Sequence, residues 1–300
     1  MGPIFIAGAT ASGKSAAALS LAERIGGEII SVDSMQVYRG LDIGTAKPSI
    51  ADRARVQHHL IDEVDITESF DVARFLRLAR AAEADIRMRG NVPIYCGGTG
   101  LYFNALIFGI GNGPAASDEL RRELESTSPE LLLSELEKSD PETFMKIDRS
   151  NLRRLVRAVE VSRSTGRPYS EQRARWKKVV EGSFFGLLRE RDDLNERINS
   201  RVDAMFAAGL VTETKALLDR GLAQNRTAMQ AIGYRQVVEH LRGERNLDAT
   251  IELVKQKTRQ YAKRQGTWFR NQLELEWIQV VGQATPEEIA SVICSKVPNC

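Results

Sequence analysis

Short apolar runs alternate along this chain with longer segments in which apolar residues recur at helical spacing. The β-rich apolar runs predict strands, which are Ile4–Ala7, Glu28–Val32, Val92–Cys96, Phe184–Leu188 and the weaker Glu276–Val280. The helical segments are Lys14–Ile25, Asp71–Arg89, Leu101–Ile107, Leu194–Ala208, Val211–Arg220 and Leu247–Gln265. This alternation predicts an α/β fold with a parallel sheet flanked by helices on both faces.

The stretch from Gly113 to Gly182 differs from the rest, because it holds helical patterns and no run typical of a strand. Its predicted helices are Asp118–Glu125, Pro129–Lys138 and Asn151–Ser164. The residues Gly109, Gly111, Gly113 and Pro114 form a flexible entry to it, and Gly182-Ser183 form an exit. We therefore predict a helical insertion domain over residues 113–182 within an α/β core made of residues 1–112 and 183–300.

The composition is that of a protein with a packed core. Of the 300 residues, 42% are hydrophobic and 27% are charged. No apolar stretch reaches membrane-spanning length, and the first residues do not resemble a secretion signal. The three cysteines, Cys96, Cys294 and Cys300, have no metal-type spacing and no plausible disulfide framework. These features favour a protein of the reducing cytoplasm, without a membrane partner. The sequence does not indicate the oligomeric state, and a monomer is the default expectation.

The net charge of +2 conceals a strong asymmetry along the chain. Residues 115–145 contain nine acids and three bases, whereas residues 146–178 contain eleven bases and three acids. Residues 255–270 contain six bases and no acid. Basic segments with interleaved aromatic residues indicate a polyanionic partner, most often nucleic acid. The alternative is that these segments form ordinary solvated helix faces.

A phosphate-binding loop follows the first predicted strand directly. The residues Gly8-Ala9-Thr10-Ala11-Ser12-Gly13-Lys14-Ser15 match the pattern G-x-x-x-x-G-K-[ST]. Glycines let the backbone wrap around an anion, and backbone N–H groups at the start of a helix point at phosphate oxygens. Lys14 adds a positive charge and Ser15 is a candidate Mg²⁺ ligand. The motif predicts a phosphorylated ligand; the alternative is a glycine turn that carries a lysine by accident.

Two further candidate groups lie at the carboxyl ends of predicted strands, where ligands of parallel sheets collect. Asp33 closes the second strand and is a candidate metal ligand or general base, or else a turn aspartate. The third strand ends in Gly97-Gly98-Thr99-Gly100 without an acid, which argues against nucleotide hydrolysis. Thr99 is placed to contact a ligand, unless the glycines only make a tight connection.

Two rows of cationic side chains are predicted on helix surfaces. Arg153 and Arg157 lie one turn apart with Arg154 beside them, away from an apolar stripe formed by Leu152, Leu155, Val156 and Val159. A second row contains Lys255, Arg259 and Lys263. Both rows fit contacts to a phosphate backbone. Pairing of the first row with the acidic segment before it is the alternative.

Taken together, these motifs resemble one family, the tRNA dimethylallyltransferases (tRNA isopentenyltransferases) of the compact bacterial type. The segments that carry the resemblance are Gly8–Ser15, Asp33–Tyr38, Asp42–Pro48, His58–Asp62, Gly97–Tyr102, Arg154–Val161, Ala228–Tyr234 and Thr258–Gln265. They run in the family's order over nearly the whole chain. The chain departs from the family at Ala9, where proline is more usual.

The resemblance implies an activity and a set of site residues. A P-loop kinase-like core would transfer a dimethylallyl group from dimethylallyl diphosphate to N6 of the adenosine immediately 3′ of the anticodon, with Mg²⁺ on Ser15. The helical insertion would grip the anticodon arm. Asp33, Thr10 and Lys14 would be catalytic, and Gly8, Ala9, Thr10, Ala11, Ser12, Gly13, Lys14 and Ser15 would bind the diphosphate. The tRNA contacts would be Asp33, Ser34, Met35, Gln36, Thr99, Arg121, Arg153, Arg154, Leu155, Val156 and Arg157.

Three other functions remain open from the residues alone. An adenylate isopentenyltransferase would share the P-loop and Asp33 but would not need the basic insertion. A small-molecule kinase would bind ATP in the same loop. An RNA-binding P-loop protein without transferase chemistry would need neither Asp33 nor the glycine-rich turn.

Overall fold

A six-stranded parallel sheet organises the larger part of the chain in the computed structural model, which describes residues 1–110, 118–172, 180–298 and 300. The strands are β1 (Ile4–Gly8), β2 (Gly27–Val32), β3 (His58–His59), β4 (Val92–Gly97), β5 (Ser183–Arg189) and β6 (Glu276–Val280). Their order across the sheet is β3-β2-β4-β1-β5-β6. The five strands predicted from the sequence are all present, so the predicted fold class is confirmed.

Helices account for most of the remaining described residues. They are α1 (Lys14–Ile25), α2 (Ile50–Arg55), α3 (Val72–Met88), α4 (Gly100–Phe108), α5 (Asp118–Ser126), α6 (Pro129–Ser139), α7 (Pro141–Lys146), α8 (Leu152–Thr165), α9 (Arg191–Ala207), α10 (Leu210–Asp219), α11 (Tyr234–Leu241), α12 (Leu247–Gln272) and α13 (Pro286–Cys294). Across these ranges no helix is long and apolar enough to cross a membrane.

The core of the sheet explains why its strands are nearly uniformly apolar. Ile4 and Ile6 of β1 are fully buried against Ala18 and Leu21 of α1, and Ile293 of α13 belongs to the same cluster. A strand covered on both faces needs apolar side chains in both directions. The parallel register places the ends of β1, β2 and β4 side by side, because Ala7 pairs with Gly97 and Gly97 pairs with Val32.

The edge strand β3 was not predicted, because two residues are too short for a periodic signal. It is held by a buried carboxylate at the start of β2: Glu28 accepts hydrogen bonds from Arg89 (2.7 and 2.9 Å) and Asn91 (2.7 Å) and lies 2.7 Å from Nε2 of His59. The Arg89 guanidinium, helped by Asn91 and His59, lowers the pKa of Glu28 to about 2 despite its burial. His59 therefore has a structural role at this edge of the sheet.

The expectation that the cysteines form no disulfide was wrong. Cys294, at the end of α13, is bonded to Cys300, with the two Cα atoms 5.3 Å apart. The chain turns back after α13 and brings the two Cα atoms within the distance that a disulfide bridges. The cysteine pattern therefore no longer supports a reducing compartment.

The chain divides into two compact units. The first contains Met1–Leu106 and Val180–Cys300, and the second contains Ile107–Val179. The described part of the second unit is helical, with a core of Leu124, Leu132, Leu136, Leu155 and Val159. Of the predicted boundaries of the insertion, 113 lies outside the described residues together with Gly111 and Pro114, and 182 directly precedes β5.

Candidate functional site

The P-loop joins β1 to α1 at the carboxyl edge of the sheet. Ala11 and Gly13 take left-handed backbone conformations (φ 64° and 97°), which fold the loop around a central space. Among the described residues, the backbone N–H groups of Gly13, Lys14 and Ser15 have no hydrogen-bond acceptor. The start of α1 therefore presents unpaired donors, the arrangement that binds phosphate.

Cationic side chains hold the outward-facing carbonyl groups of the same loop. Lys14 Nζ donates to the carbonyl oxygen of Ala9 (3.1 Å), Arg197 Nε to that of Ala11 (3.1 Å) and Arg189 Nε to that of Ser12 (3.0 Å). With its carbonyls fixed in this way, the loop keeps its N–H groups directed at the ligand position.

Two arginines of α9 complete a cluster of positive charge around Lys14. Arg197 and Arg201 are one helical turn apart, and no salt bridge to either is present within the described part of the chain. Burial lowers the pKa of Lys14 and Arg201 lowers it further, whereas the Asp33 carboxylate raises it. Burial, and then the charge of Arg197, lowers the pKa of Arg201. Arg197 is exposed, whereas Lys14 and Arg201 are partly buried, so three cations gather where a polyanion such as a diphosphate can reach them.

The side chain of Gln265, in α12, fastens the P-loop to the glycine-rich turn after β4. Its Oε1 accepts from the backbone N–H of Thr10 (2.9 Å), and its Nε2 donates to the carbonyl of Gly98 (2.7 Å). A Cβ atom at Gly98 would overlap Nε2 of Gln265, and one at Gly100 would approach the Trp268 ring to 2.5 Å. The glycines are therefore required by the close approach of α12.

Asp33 sits at the end of β2 in a turn that fixes one of its two oxygens. Oδ1 accepts from the backbone N–H groups of Met35 (2.8 Å) and Gln36 (3.3 Å), so the turn interpretation of this aspartate is correct. The turn is also held by Thr99, whose Oγ1 accepts from the Ser34 N–H (3.1 Å). Oδ2 has no hydrogen-bond partner among the residues that the structure describes. This leaves a carboxylate oxygen beside the cationic cluster.

The neighbours of Asp33 limit what else can react there. Burial and the Asp33 charge raise the pKa of Tyr261 to about 12. Burial also raises the pKa of the Cys96 thiol to about 11, so this cysteine is not a thiolate nucleophile at neutral pH. The amide of Gln36 is occupied by Ser31 Oγ (3.0 Å) and the carbonyl of Thr45 (3.2 Å). Of the groups described around this turn, the Asp33 carboxylate keeps one oxygen, Oδ2, without a hydrogen-bond partner in the described residues.

A cavity of about 600 Å³ lies beside this edge of the first unit. Its lining includes Arg201 together with the apolar side chains of Ile43, Ala204 and Met205. The loop on its other side is rigidly anchored, because Lys47, only 4% exposed, contacts Asp42 (2.5 Å) and Asp62 (2.6 Å). The Asp42–Pro48 and His58–Asp62 segments are thereby joined as one structural element.

The predicted tRNA-contact residues of the second unit fall into three groups. Arg153 and Arg154 are exposed, and Arg121 and Arg157 both contact the buried carboxylate of Glu160. The side chains of Leu155 and Val156 are buried in the unit's core, so direct contact of these two side chains with RNA is not supported. Leu152 is 40% exposed and does not continue the predicted apolar stripe. The basic residues from Arg173 to Lys178 lie outside the described residues.

The second cationic row, on α12, is largely occupied within the protein. Lys255 Nζ contacts Asp203 (2.8 Å) and Glu252 (2.9 Å), and Arg259 contacts Asn199. Since Asp203 and Asn199 belong to α9, the first two members of this row join two helices. These two residues therefore have partners within the protein, and their contact with a phosphate backbone stays a prediction.

Comparison with known proteins identifies the family. Residues 36–272 match the model of the IPP transferase family. The chain is 47% identical to the tRNA dimethylallyltransferase of Geobacter metallireducens over 287 residues, which cover 93% of each protein. It is 45% identical to tRNA dimethylallyltransferase 1 of Citrifermentans bemidjiense over 284 residues, 93% of this chain and 92% of that protein. The chain belongs to the IPP transferase family.

Solved structures agree with this assignment. The tRNA isopentenylpyrophosphate transferase of Bacillus halodurans superposes with a TM-score of 0.73 at 41% identity, covering 98% of this chain and 96% of that one. A eukaryotic dimethylallyltransferase acting on tRNA gives a TM-score of 0.80 at 30% identity, covering 92% and 73%. The protein is therefore a transferase with a P-loop kinase-like α/β fold, and the small-molecule kinase and the pure RNA-binding protein are excluded.

The site residues that the sequence did not reveal are Arg189, Arg197, Arg201 and Gln265. Their contacts with the P-loop span 177 to 255 residues of chain, so no local pattern shows that these residues meet the P-loop. A signal did exist for the α9 arginines of this transferase, because Arg197 and Arg201 repeat at i and i+4 on a predicted helix. The P-loop, Asp33 and Thr99, in contrast, meet at the sheet edge where their strand ends placed them.

Proposed function

We propose that this transferase moves the dimethylallyl group of dimethylallyl diphosphate to N6 of the adenosine immediately 3′ of the anticodon in tRNA. The observation that carries the proposal is the cluster of three cations, Lys14, Arg197 and Arg201, beside the carboxylate of Asp33, with no salt bridge to any of the three within the described part of the chain. The cationic cluster suits a diphosphate leaving group, and the Asp33 carboxylate can accept a proton. The names of the relatives, all tRNA dimethylallyltransferases, support the same reaction.

The cationic cluster stabilises the leaving group. As the bond between C1 of the allyl group and the diphosphate oxygen breaks, negative charge develops on that oxygen. Lys14, Arg197 and the backbone N–H groups of Gly13 and Ser15 are held in place before the reaction begins, so they stabilise this charge without reorganising, and Arg201 adds its positive charge.

Asp33 accepts the proton. The bond from C1 to N6 forms while an N6 proton passes to the unengaged Oδ2, and diphosphate leaves. The adenine amine is a weak nucleophile, so removal of its proton as the bond forms is worth roughly 10²–10⁴ in rate. The adenine must leave the anticodon stack to reach this position, which makes transfer a base-flipping reaction. Ser34, Met35, Gln36 and Thr99 form the turn on which it would be received.

The residues at the start of α1 fit Mg²⁺. This ion usually takes only one or two protein ligands and fills its other positions with phosphate oxygens and water. Ser15 is exposed in the first turn of α1, where its hydroxyl would be the protein ligand. A bound Mg²⁺ would add positive charge to the departing diphosphate.

We assign the second unit to binding of the anticodon arm, through Arg121, Arg153, Arg154 and Arg157. Phosphate contacts fix the register of a nucleic acid and give affinity that falls with salt. We also infer that the enzyme acts as a monomer in the cytoplasm, where its tRNA substrate is made.

A transfer assay with radiolabelled dimethylallyl diphosphate tests the proposal. Unmodified tRNA and AMP are offered in parallel, each with Mg²⁺ and with EDTA. We expect label in tRNA alone, located by nuclease digestion at the adenosine 3′ of the anticodon, and loss of transfer in EDTA. Label in AMP alone would assign the chain to the adenylate isopentenyltransferases, and label in neither would overturn the proposed function.

A further inference from the structure

A buried carboxylate in the helical unit receives two of the arginines assigned to tRNA. Glu160, in α8, is 1% exposed, and its Oε2 accepts from Nη1 of Arg157 (2.7 Å) and from Nη2 of Arg121 (3.0 Å). Its Oε1 is buried and has no hydrogen-bond partner in the described part of the chain. Neither arginine is buried with it: their side chains are 40% (Arg121) and 34% (Arg157) exposed.

This geometry is unusual for a stabilising ion pair. Burying a carboxylate costs several kcal/mol unless both oxygens are satisfied, yet here one oxygen is unsatisfied and both cations converge on the other. Arg121 comes from α5 and Arg157 from the turn of α8 that precedes Glu160. One buried oxygen thus fixes two guanidinium groups from different helices side by side. Two charges of +1 share one charge of −1, so the group keeps a positive charge at the surface.

We propose that Glu160 is a positioning residue that holds Arg121 and Arg157 together as one binding site for RNA phosphate groups. The inference rests on the proposed function, because it concerns how the second unit binds tRNA. An arginine side chain that is already ordered loses less rotamer entropy when it binds a phosphate. Glu160 does not touch the RNA itself; it acts through the two guanidinium groups.

A second ion-pair cluster on the same helix offers a matched control. Arg163 contacts Glu123 (2.7 Å) and Glu135 (2.7 Å), and these carboxylates are 61% and 33% exposed. Here one arginine is shared by two carboxylates, the reverse of the Glu160 arrangement. The variant Glu135→Gln therefore removes a negative charge and an arginine contact from the same unit without touching Arg121 or Arg157.

Charge and position predict opposite signs for the variant Glu160→Gln. Loss of a negative charge makes the surface more positive, which by itself tightens RNA binding. Loss of the Glu160 carboxylate, which holds both guanidinium groups, lets them move apart, and this weakens RNA binding. The direction of the change thus separates a positioning role from simple charge compensation.

The experiment measures tRNA dissociation constants, KM for tRNA, kcat and melting temperature for the full-length chain. We expect Glu160→Gln to weaken tRNA binding and raise KM by about fivefold to tenfold, with kcat and KM for dimethylallyl diphosphate unchanged. Glu135→Gln should leave tRNA binding unchanged or slightly tighter. In an Arg121→Ala, Arg157→Ala background, Glu160→Gln should have no further effect on binding, because its two partners are gone.

A second pair of variants guards against loss of folding. Arg121→Lys with Arg157→Lys keeps both charges but loses the planar donors that share one oxygen, and we expect it to weaken binding as Glu160→Gln does. Folded Glu160→Gln that binds tRNA as tightly as wild type or more tightly would overturn the inference, as would wild-type binding by the double lysine variant. Failure of wild type to bind or modify tRNA would instead overturn the proposed function.

Discussion

Asp33 shows how one side chain combines a structural and a chemical role. Its Oδ1 holds the turn through the N–H groups of Met35 and Gln36, and its Oδ2 is left beside Lys14. The sequence offered the turn and the general base as alternatives, but the structure makes them compatible, because a carboxylate has an oxygen for each. An asparagine would keep the turn and lose the base.

We predict that Asp33→Asn lowers single-turnover transfer by at least about 10²-fold while tRNA affinity stays within about threefold of wild type. The amide oxygen still accepts from Met35, so the turn survives, but an amide cannot take the N6 proton. Rapid-quench transfer and filter binding measure the two quantities. Asp71→Asn is the matched control, since Asp71 also accepts a backbone N–H, from Arg74 (2.7 Å) at the start of α3. Full transfer by Asp33→Asn would remove Asp33 from the chemistry.

At the scale of elements, the sequence predicted the strands and helices that have a regular apolar pattern. It did not predict the two-residue strand or the contacts between residues far apart along the chain. The strands β1, β2 and β4 are continuous apolar runs that end in glycine or polar residues, so their bounds were predicted to within about two residues. The two-residue strand β3 is too short to show a periodic pattern. In the sequence, Glu28, whose carboxylate holds β3, cannot be told from an ordinary charged residue at the start of a strand. Burial of Leu155 and Val156 was signalled by their stripe, but the family resemblance assigned them to RNA.

Helix α12 makes the contact that most directly joins distant elements of the site. Gln265 bridges Thr10 and Gly98. It lies in the family segment Thr258–Gln265, which Gln256 on the same helix does not, but the segment does not show which distant groups the Gln265 side chain contacts. This bridge fixes the P-loop relative to the glycine-rich turn, because one backbone group from each, the Thr10 N–H and the Gly98 carbonyl, is hydrogen-bonded to the same Gln265 amide.

We predict that Gln265→Ala raises KM for dimethylallyl diphosphate and destabilises the protein by about 1–3 kcal/mol, because the Thr10 N–H and the Gly98 carbonyl both lose their partner. Steady-state kinetics and urea unfolding give the two values. Gln256→Ala removes an equal side chain from the solvent side of α12 and should match wild type in both. Equal donor KM values for the two variants would show that the bridge does not shape the diphosphate site.

At the scale of the whole molecule, the net charge is small, but acidic and basic residues are concentrated in different segments of the chain. A net charge of +2 on 300 residues gives little general attraction for RNA. Affinity for tRNA must therefore come from local groups of basic residues, and the structure shows that such groups are not equivalent. Lys255 and Arg259 stabilise the packing of α9 and α12, Arg163 is compensated by two carboxylates, and Arg153 and Arg154 are exposed.

This segregation predicts which arginines set the salt dependence of tRNA binding. Each phosphate contact adds roughly 0.7–0.9 to the slope of log affinity against log salt concentration, through the counterions that it releases. We expect Arg153→Ala with Arg157→Ala to weaken binding at low salt and to reduce that slope by about 1.5. Arg163→Ala removes a charge from the same helix and should leave the slope unchanged, since Glu123 and Glu135 already neutralise it. Binding titrations across a range of salt concentrations measure the slopes, and equal slopes for the three proteins would return Arg153 and Arg157 to the solvated surface of α8.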